Sequence, residues 1–272
     1  MSIKSQSGRQ GTLRSFLLTN NKALFVESVI LLAIFWTSVA HAFDLVDTIS
    51  TPAIVAVATI DLFLSMDWIV HMQATLRRVL YAFVLTVVVG TVLGVIMGLS
   101  DFWEDVLIDY VAISLALPSL FAAVFAAMWF GISDVTPMVA GALIAFPYIT
   151  QNVFEATENI DQGLFEMSAS FDVPRRHVLR RVVFASILPE WFGGVRYSFA
   201  ISWKITTLAE LVAAQEGIGY IIGIQMRTLS MVGILSWTIL FTIVMLGVEY
   251  GVFQQIEKRV FSWRQGEMIG FV

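Results

Sequence analysis

Long apolar windows separated by short polar segments dominate the hydrophobic pattern of the chain. Four windows of about twenty residues contain no charged residue: 79–99, 110–131, 135–154 and 228–248. Two further apolar windows of similar length contain charged residues: 23–43 and 191–211. Because about twenty helical residues cover the roughly 30 Å hydrocarbon core of a bilayer, this pattern predicts six membrane-spanning helices.

The composition supports the same interpretation. Hydrophobic residues make up 58% of the 272 residues and charged residues 14%, with a mean hydropathy of +0.81. A soluble domain has about a quarter charged residues, so an ordinary soluble globular domain is excluded. The predicted fold class is therefore all-α, a polytopic membrane protein. The chain contains no cysteine, which excludes disulfide bonds and thiolate metal sites.

The windows divide the chain into five parts: a polar tail (1–22), the first membrane helix (23–43), a connector (44–70), the main helical domain (71–256) and a second tail (257–272). The first window could instead be a signal peptide cleaved after Ala40-His41-Ala42, but the polar stretch before it is long for a signal. The apolar run 52–60 is too short to span a bilayer. We expect it to lie at the outer surface or against the bundle.

The basic residues predict the orientation. With the N-terminus inside, the inner segments contain eleven Lys and Arg residues and the outer segments contain three. The inner ones are Lys4, Arg9, Arg14, Lys22, Arg175, Arg176, Arg180, Arg181, Lys258, Arg259 and Arg264. Because basic residues are enriched on the cytoplasmic side, both tails and segment 161–194 are predicted to be cytoplasmic, and connector 44–70 extracytoplasmic.

Segment 161–194 is a polar insert between two apolar windows and is predicted to form two short helices. Asp161 is a suitable N-cap for the first. Asp172 is a suitable N-cap for the second, with Pro174 tolerated in its first turn. The second helix is expected to end at Leu188-Pro189. Short helices of this kind lie at a membrane face and contact another molecule.

Small residues and prolines mark positions within the spans. Gly90, Gly94 and Gly98 are four residues apart, so they form a stripe along one helix face that allows another helix to approach closely. Three prolines are expected to kink or start helices: Pro118, Pro137 and Pro147.

Arg196 and Lys204 are cations within the fifth span, where a charge needs a partner or a water-filled pathway. They lie eight residues apart, on one broad side of a helix. With the neighbouring Trp203 they are candidates for a pathway that conducts an anionic substrate. Arg196 is close to the helix start, and pairing with an acid or a lipid headgroup is the favoured explanation for it. For Lys204 both explanations stay open.

Several functions are excluded by missing motifs. The three histidines are His41, His71 and His177, and their spacing does not place two on one helical face as a metal site requires. The sequence has no GxSxG element and no glycine loop followed by Lys and Ser or Thr, so it predicts no catalytic residue and no nucleotide site in this chain. No basic tract with interleaved aromatics is present, which argues against nucleic acid as a partner.

The stretch from Glu166 through Pro189 to Glu210 resembles the permease subunit of ABC importers, especially the nitrate, sulfonate, taurine and bicarbonate group. The family's loop motif corresponds to Glu166-Met167-Ser168, Asp172 and Leu188-Pro189. Other similar stretches are His71-Met72-Gln73-Ala74-Thr75-Leu76-Arg77-Arg78, Trp129-Phe130-Gly131-Ile132, Gly193-Gly194-Val195-Arg196, Ala209-Glu210-Leu211, Gly217-Ile218-Gly219-Tyr220 and Trp263-Arg264. The resemblance covers about residues 70–264, most of the chain.

The resemblance implies a type I importer permease fold over 71–256, in the inner membrane. Its implied partners are a dimeric ABC ATPase that holds ATP and Mg²⁺, a second permease subunit (by default a second copy), a periplasmic or lipid-anchored binding protein, and membrane lipid. The resemblance also implies that the insert contains coupling helices that dock in a groove of the ATPase. The residues expected to do so are Glu166, Met167, Ser168, Phe171, Asp172, Arg175 and Arg176.

The chain departs from the family pattern at this loop. Asp172 stands where the family has a glycine in a left-handed conformation, which Asp tolerates better than most residues. Met167 and Ser168 replace two alanines. We therefore expect a docking groove adapted to this loop, and hence a dedicated ATPase.

A stand-alone membrane protein, either an ion-coupled transporter or an intramembrane enzyme, is the alternative. Such proteins place acids or histidines inside their spans, whereas four spans here contain no charge. The sequence therefore favours a transport subunit without enzyme chemistry of its own, and we expect its solute to be small and anionic.

Overall fold

The computed structural model describes residues 21–43 and 49–260, and these residues form helices and no strand. The first six helices are α1 (Asn21–Ala42), α2 (Pro52–Ser65), α3 (Trp68–Gly98), α4 (Asp101–Ala116), α5 (Ser119–Phe130) and α6 (Val135–Glu158). They are followed by α7 (Gln162–Ser170), α8 (Arg175–Val178), α9 (Phe184–Ala213), α10 (Ile218–Arg227), α11 (Met231–Val248) and α12 (Gln254–Val260). The all-α prediction is confirmed. Most of the two predicted tails, Asp44 and Asp47 of the connector, and Trp263-Arg264 lie outside the described residues.

All six apolar windows fall in helices, but not all of these helices are strongly apolar. Within the described residues, Trp68–Gly98 and Met231–Ile256 are long and apolar enough to cross a membrane, and α4 with α5 would make a third. The windows 135–154 and 191–211 lie in long helices, α6 and α9, that carry polar and charged side chains. The short run 52–60 lies in the 14-residue helix α2, which packs on α11.

The window 110–131 is not one continuous helix, and the prediction that Pro118 kinks or starts a helix is confirmed. The chain breaks between α4 and α5, whose axes differ by 101°. Leu117 and Pro118 at the break have ψ angles of 121° and 129° and are therefore extended. A residue before proline avoids the helical conformation, and proline has no N–H to continue the helix. Pro147, by contrast, lies inside the continuous helix α6.

The prediction that the second helix of the insert ends at Leu188-Pro189 is wrong. Helix α8 continues through a π-helical turn, Leu179–Val183, directly into α9, and Pro189 lies inside α9. The second helix of the insert, which is predicted to be cytoplasmic, therefore continues into the fifth span without a break. A displacement of α8 would be transmitted along α9 without an intervening loop.

The glycine stripe lies at the crossing of α3 and α6. A Cβ atom built on Gly90 would lie 2.0 Å from Ile149 Cγ2, and one on Gly94 would lie 2.7 Å from the Thr150 carbonyl oxygen. The two helix backbones are therefore in near contact, as the stripe predicts. Helix α9 packs on both: Trp191 of α9 donates from Nε1 to Thr91 Oγ1 of α3 at 2.8 Å.

Candidate functional site

Helix α7 begins at its predicted cap and packs on the bundle through two side chains. The Asp161 carboxylate accepts a hydrogen bond from the Gly163 N–H at 2.9 Å, which confirms its predicted role. Leu164 and Phe165 pack against the main core cluster. Ser168 is buried, and its hydroxyl donates to the Leu164 carbonyl at 2.7 Å. Ser168 therefore faces the bundle, unlike the other candidate coupling residues.

The residues of α7 and its C-cap that do not pack on the bundle form an exposed and partly apolar surface. Glu166, Met167 and Phe171 are exposed, and Phe171 has 77% of its surface accessible. Arg175 and Arg176 are also exposed and form the first turn of α8. We call Glu166, Met167 and Phe171, with these two arginines, the loop surface. An exposed phenylalanine held on a capped helix is suited to inserting into a groove of a partner.

The turn after α7 is a Schellman motif built around Asp172. The Val173 N–H donates to the Ser168 carbonyl at 3.0 Å, and the Asp172 N–H donates to the Ala169 carbonyl at 3.1 Å. Asp172 has a φ of 50°, the left-handed conformation expected for the family's glycine position. The prediction that Asp172 caps the next helix is wrong. Pro174 occupies that N-cap, with no side-chain hydrogen bond, because Asp172 is already used in the turn.

The Asp172→Gly variant is expected to be more stable than the wild type by up to about 1 kcal/mol, since glycine adopts this conformation without steric cost. Asp172→Val should be less stable than wild type by about 1–2 kcal/mol, because a β-branched side chain is strained there. Thermal unfolding of the purified chain in detergent measures both. Equal melting temperatures for the two variants would contradict the strained-turn interpretation.

The three candidate pathway residues line one cavity of about 420 Å³ between α9 and α11. The Arg196 Nε donates to Glu249 Oε1 at 2.5 Å, so Arg196 pairs with an acid, as the favoured explanation predicted. The Lys204 amine lies 5.7 Å from the centre of the Trp203 ring. Within the described part of the chain, Lys204 has no carboxylate partner. The cavity thus brings an aromatic ring and a lysine together.

A buried ionic cluster lies at the far end of α9 and was not predicted as a site. Glu210 has 0% side-chain exposure and Arg78 has 1%, and the Arg78 Nη1 donates to Glu210 Oε1 at 2.8 Å. Arg78 Nη1 also donates to the Glu216 carbonyl at 2.7 Å, and its Nε donates to Asp134 Oδ1 at 3.0 Å. We call Arg78, Asp134, Glu210 and Glu216 the ionic cluster. It joins α3, α6, α9 and the segment before α10.

The second carboxylate oxygen of Glu210 binds the start of α10. It accepts from the Gly219 N–H at 3.0 Å and from the Thr75 hydroxyl at 2.8 Å. A negative charge at the first turn of a helix is favoured by the helix dipole and satisfies a free N–H. Gly217 has a φ of 112°, and a Cβ there would lie 2.6 Å from the Glu210 carboxylate. Glycine is therefore required for the chain to pass over this buried carboxylate.

Asp134 is the cluster's connection to solvent. Its side chain is half-exposed and also accepts from Arg77 Nη2 at 2.7 Å. Hydrogen bonding from the Arg78 guanidinium lowers the pKa of the Asp134 carboxyl. Asp134 therefore stays ionised at neutral pH, and its contribution to stability is lost only as the pH falls through this lowered pKa.

The sequence contained a signal for this cluster. Arg78, Glu210 and Gly217-Ile218-Gly219 lie in three of the stretches that resemble the importer permeases, and the structure brings all three together. The resemblance indicated that these positions are similar to those of the importer permeases, but it did not indicate that they are in contact. Arg78 and Glu210 are 132 residues apart in the sequence, and no periodic pattern indicates that they are in contact.

Comparisons with known proteins identify the relatives of the chain. The family described as "Binding-protein-dependent transport system inner membrane component" matches residues 90–261. The chain is 26% identical over 215 residues to a putative aliphatic sulfonates transport permease protein of Bacillus subtilis, covering 79% of this chain and 77% of that one. It is 23% identical to the taurine transport system permease protein of Escherichia coli, covering 71% and 70%.

A solved structure shares the fold. The chain is similar to a chain of the MetNI methionine ABC transporter in inward facing conformations, with a TM-score of 0.61 and 18% identity, covering 72% of this chain and 98% of that one. At this identity the similarity shows the fold alone, and the fold is that of an ABC importer permease.

Proposed function

The chain belongs to the family of binding-protein-dependent transport system inner membrane components, and from this we propose that it forms the translocation pathway of an ATP-driven importer. Its cargo would be a small anionic solute of the nitrate, sulfonate, taurine or bicarbonate kind. The loop 161–189 would couple it to a separate dimeric ATPase that binds ATP and Mg²⁺. Two copies of the chain would form the pathway, and a periplasmic or lipid-anchored binding protein would deliver the solute.

The loop surface carries this proposal. A capped helix exposes Met167 and Phe171, while Leu164 and Phe165 fix it to the core. The helix lies beside α8, which is continuous with α9, so a pull on this end of the bundle would reach the pathway. In this proposal the loop and both tails are cytoplasmic, in the inner membrane, as the eleven basic residues of the inner segments predict.

We expect Phe171→Ala to reduce retention of the ATPase by about tenfold or more, because truncating a central aromatic anchor typically costs over 1 kcal/mol. The measurement is co-purification of the ATPase with tagged chain from membranes. Phe121→Ala is the matched control, since Phe121 is an exposed phenylalanine of α5, outside residues 161–189. Unchanged retention by both variants, with uptake intact in Glu166→Ala, would contradict the proposed coupling surface.

The cavity between α9 and α11 supports an anionic cargo. Lys204 lies in its wall without a carboxylate partner in the described part of the chain, and Trp203 provides an apolar surface beside it. The two relatives reported above are named for the transport of aliphatic sulfonates and of taurine. Both kinds of compound carry a sulfonate group and are anionic or zwitterionic. An exposed cation on a membrane helix is costly unless a pathway or ligand solvates it.

Lys204→Gln is therefore expected to lower uptake about tenfold, the effect of losing one charge-assisted hydrogen bond. Lys204→Arg keeps the charge and should retain most of the uptake. The probes are radiolabelled nitrate, taurine, an alkanesulfonate and bicarbonate, tested separately in proteoliposomes. Equal uptake by Lys204→Gln and wild type would remove the support for an anionic pathway at this position.

The alternative, an ion-coupled transporter, would need a titratable group in the membrane that is free to exchange a proton or ion. Glu210 is the buried carboxylate of α9. It already accepts from Arg78, Thr75 and Gly219, so its hydrogen-bonding capacity is largely used. This arrangement favours a structural role for Glu210 over ion exchange.

A further inference from the structure

Four buried hydroxyl groups in the helical core have no hydrogen-bond partner within the described residues. They belong to Thr86 of α3 and to Ser198, Ser202 and Thr206 of α9, and all four residues have 0% exposure. The three on α9 are spaced four residues apart and therefore follow one side of the helix. We call Ser198, Ser202 and Thr206 the hydroxyl stripe.

Several other hydroxyls in the helices of this chain bond to the backbone carbonyl four residues earlier. Thr207, adjacent to the stripe, donates to the carbonyl four residues earlier at 2.8 Å. Thr150 and Thr157 of α6 do the same at 2.8 and 2.7 Å. Such bonds are the usual way in which a helix hydroxyl is satisfied inside a membrane protein. The three hydroxyls of the stripe make no such bond to the backbone.

At Ser202 and Thr206 the facing residue of α6 is Gly141, which has no side chain that could accept a hydrogen bond. A Cβ built on Gly141 would lie 2.4 Å from Thr206 Oγ1 and 3.3 Å from the Ser202 carbonyl oxygen, so α6 and α9 nearly touch there. The neighbouring buried residues Ala140 and Ala145 are apolar. A buried hydroxyl without a partner loses the hydrogen bonds that water would give it. For these three hydroxyl groups, burial between the packed helices is therefore less favourable than contact with water.

The stripe also lies in the middle of α9, and each end of this helix is connected to another part of the structure. At one end, α9 is continuous with α8 beside the loop surface; at the other, Glu210 is fixed in the ionic cluster. The α6 residue beside Ser202 and Thr206 is Gly141, so a separation of α6 and α9 at that point exposes little apolar surface. It exposes less than a separation near Gly194, where Ile149 of α6 faces α9.

We propose that the subunit has a second conformation in which α9 moves away from α6 along the stripe and water contacts Ser198, Ser202 and Thr206. The stripe is then a water-lined surface inside one subunit, on a different face of α9 from the Lys204 cavity. This proposal rests on the proposed function, because ATP binding by the partner subunit supplies the energy that populates the second conformation.

The absence of cysteine from the chain allows a direct test by single-cysteine labelling. Ser198→Cys, Ser202→Cys and Thr206→Cys are each assembled with the ATPase and treated with a charged, membrane-impermeant methanethiosulfonate reagent. Labelling rates are compared between the nucleotide-free complex and the complex trapped with ATP and vanadate. We expect Ser202→Cys and Thr206→Cys to react about tenfold or more faster in the complex trapped with ATP and vanadate, because thiol reactivity follows water access.

Met97→Cys is the control, since Met97 of α3 is 1% exposed and packs with Val111 and Phe154 between α3, α4 and α6, away from α9. It should stay unlabelled in both states. Cysteines in the stripe that label no faster than Met97→Cys, in complexes that still turn over ATP, would overturn the proposal and leave the proposed function intact. A wild-type chain that gives no complex and no ATP turnover would instead overturn the proposed function, and this proposal with it.

Thermal unfolding of the isolated chain provides a second readout that does not need the ATPase. Ser202→Ala and Thr206→Val remove hydroxyls that have no partner and should raise the melting temperature. Thr207→Val removes a bonded hydroxyl on the same helix and should lower it. If the two stripe variants lower the melting temperature as much as Thr207→Val does, the stripe hydroxyls are satisfied in this conformation and the proposal fails.

Discussion

The Glu210→Ala variant is expected to lose about 3–5 kcal/mol of unfolding free energy. The change leaves the Arg78 guanidinium, with 1% exposure, without its main buried counter-ion. It also leaves the Gly219 N–H and the Thr75 hydroxyl without their acceptor. Because a buried donor or charge without a partner keeps its full desolvation cost, these losses are not compensated.

Thermal unfolding in detergent measures this loss, and a drop in melting temperature of about 10 °C is expected for a chain of this size. Glu216→Ala is the matched control from the same cluster. Its carboxylate is half-exposed and lies 3.6 Å from Arg78 Nη2, so its removal should cost less than about 1 kcal/mol. Equal destabilisation by the two variants would show that burial does not set the strength of the cluster.

Gly94→Ala is expected to destabilise the chain by about 3 kcal/mol, because the added methyl group forces α3 away from α6. Its Cβ would lie 2.7 Å from the Thr150 carbonyl oxygen and 2.7 Å from Val153 Cβ, and neither atom is at the end of a flexible side chain. The separation would also loosen α9, which packs on both helices.

Gly247→Ala in α11 is the control for this experiment, since a Cβ there meets no atom within 4 Å. It should be neutral or stabilising by up to about 1 kcal/mol, because alanine favours a helix more than glycine does. Unfolding by heat or denaturant compares the two variants. A Gly94→Ala variant as stable as Gly247→Ala would show that the α3–α6 contact has room for a side chain.

Local patterns in the sequence predicted the local features of the fold. The apolar windows predicted where helices lie, the glycine spacing predicted the α3–α6 contact, and Asp161 predicted the start of α7. The failures have physical reasons. Hydropathy alone gave the window 110–131 the length of one span, and only Pro118 indicated the break, because hydropathy does not detect backbone conformation. The end predicted at Pro189 was wrong because tertiary packing supports α9 through the proline.

The site was predictable only where its parts are close in sequence. The loop surface follows from one continuous segment, and Arg196, Trp203 and Lys204 share a cavity because they lie on neighbouring turns of α9. The ionic cluster joins residues from four separate segments, and no periodicity specifies such pairing. The hydroxyl stripe was equally hidden, since Ser198, Ser202 and Thr206 differ from satisfied hydroxyls only in the side-chain direction that the folded bundle imposes.

The central claim, that ATP hydrolysis by a separate subunit drives transport through this chain, is tested most directly by uptake into proteoliposomes. The proteoliposomes contain the chain together with its ATPase, and ATP is either enclosed or omitted. The binding protein and the radiolabelled solute are added outside. We predict uptake only with enclosed ATP, and its loss in Phe171→Ala while the melting temperature is unchanged. Uptake driven by an imposed proton or sodium gradient without ATP, equal in wild type and Phe171→Ala, would contradict the account and support an ion-coupled transporter.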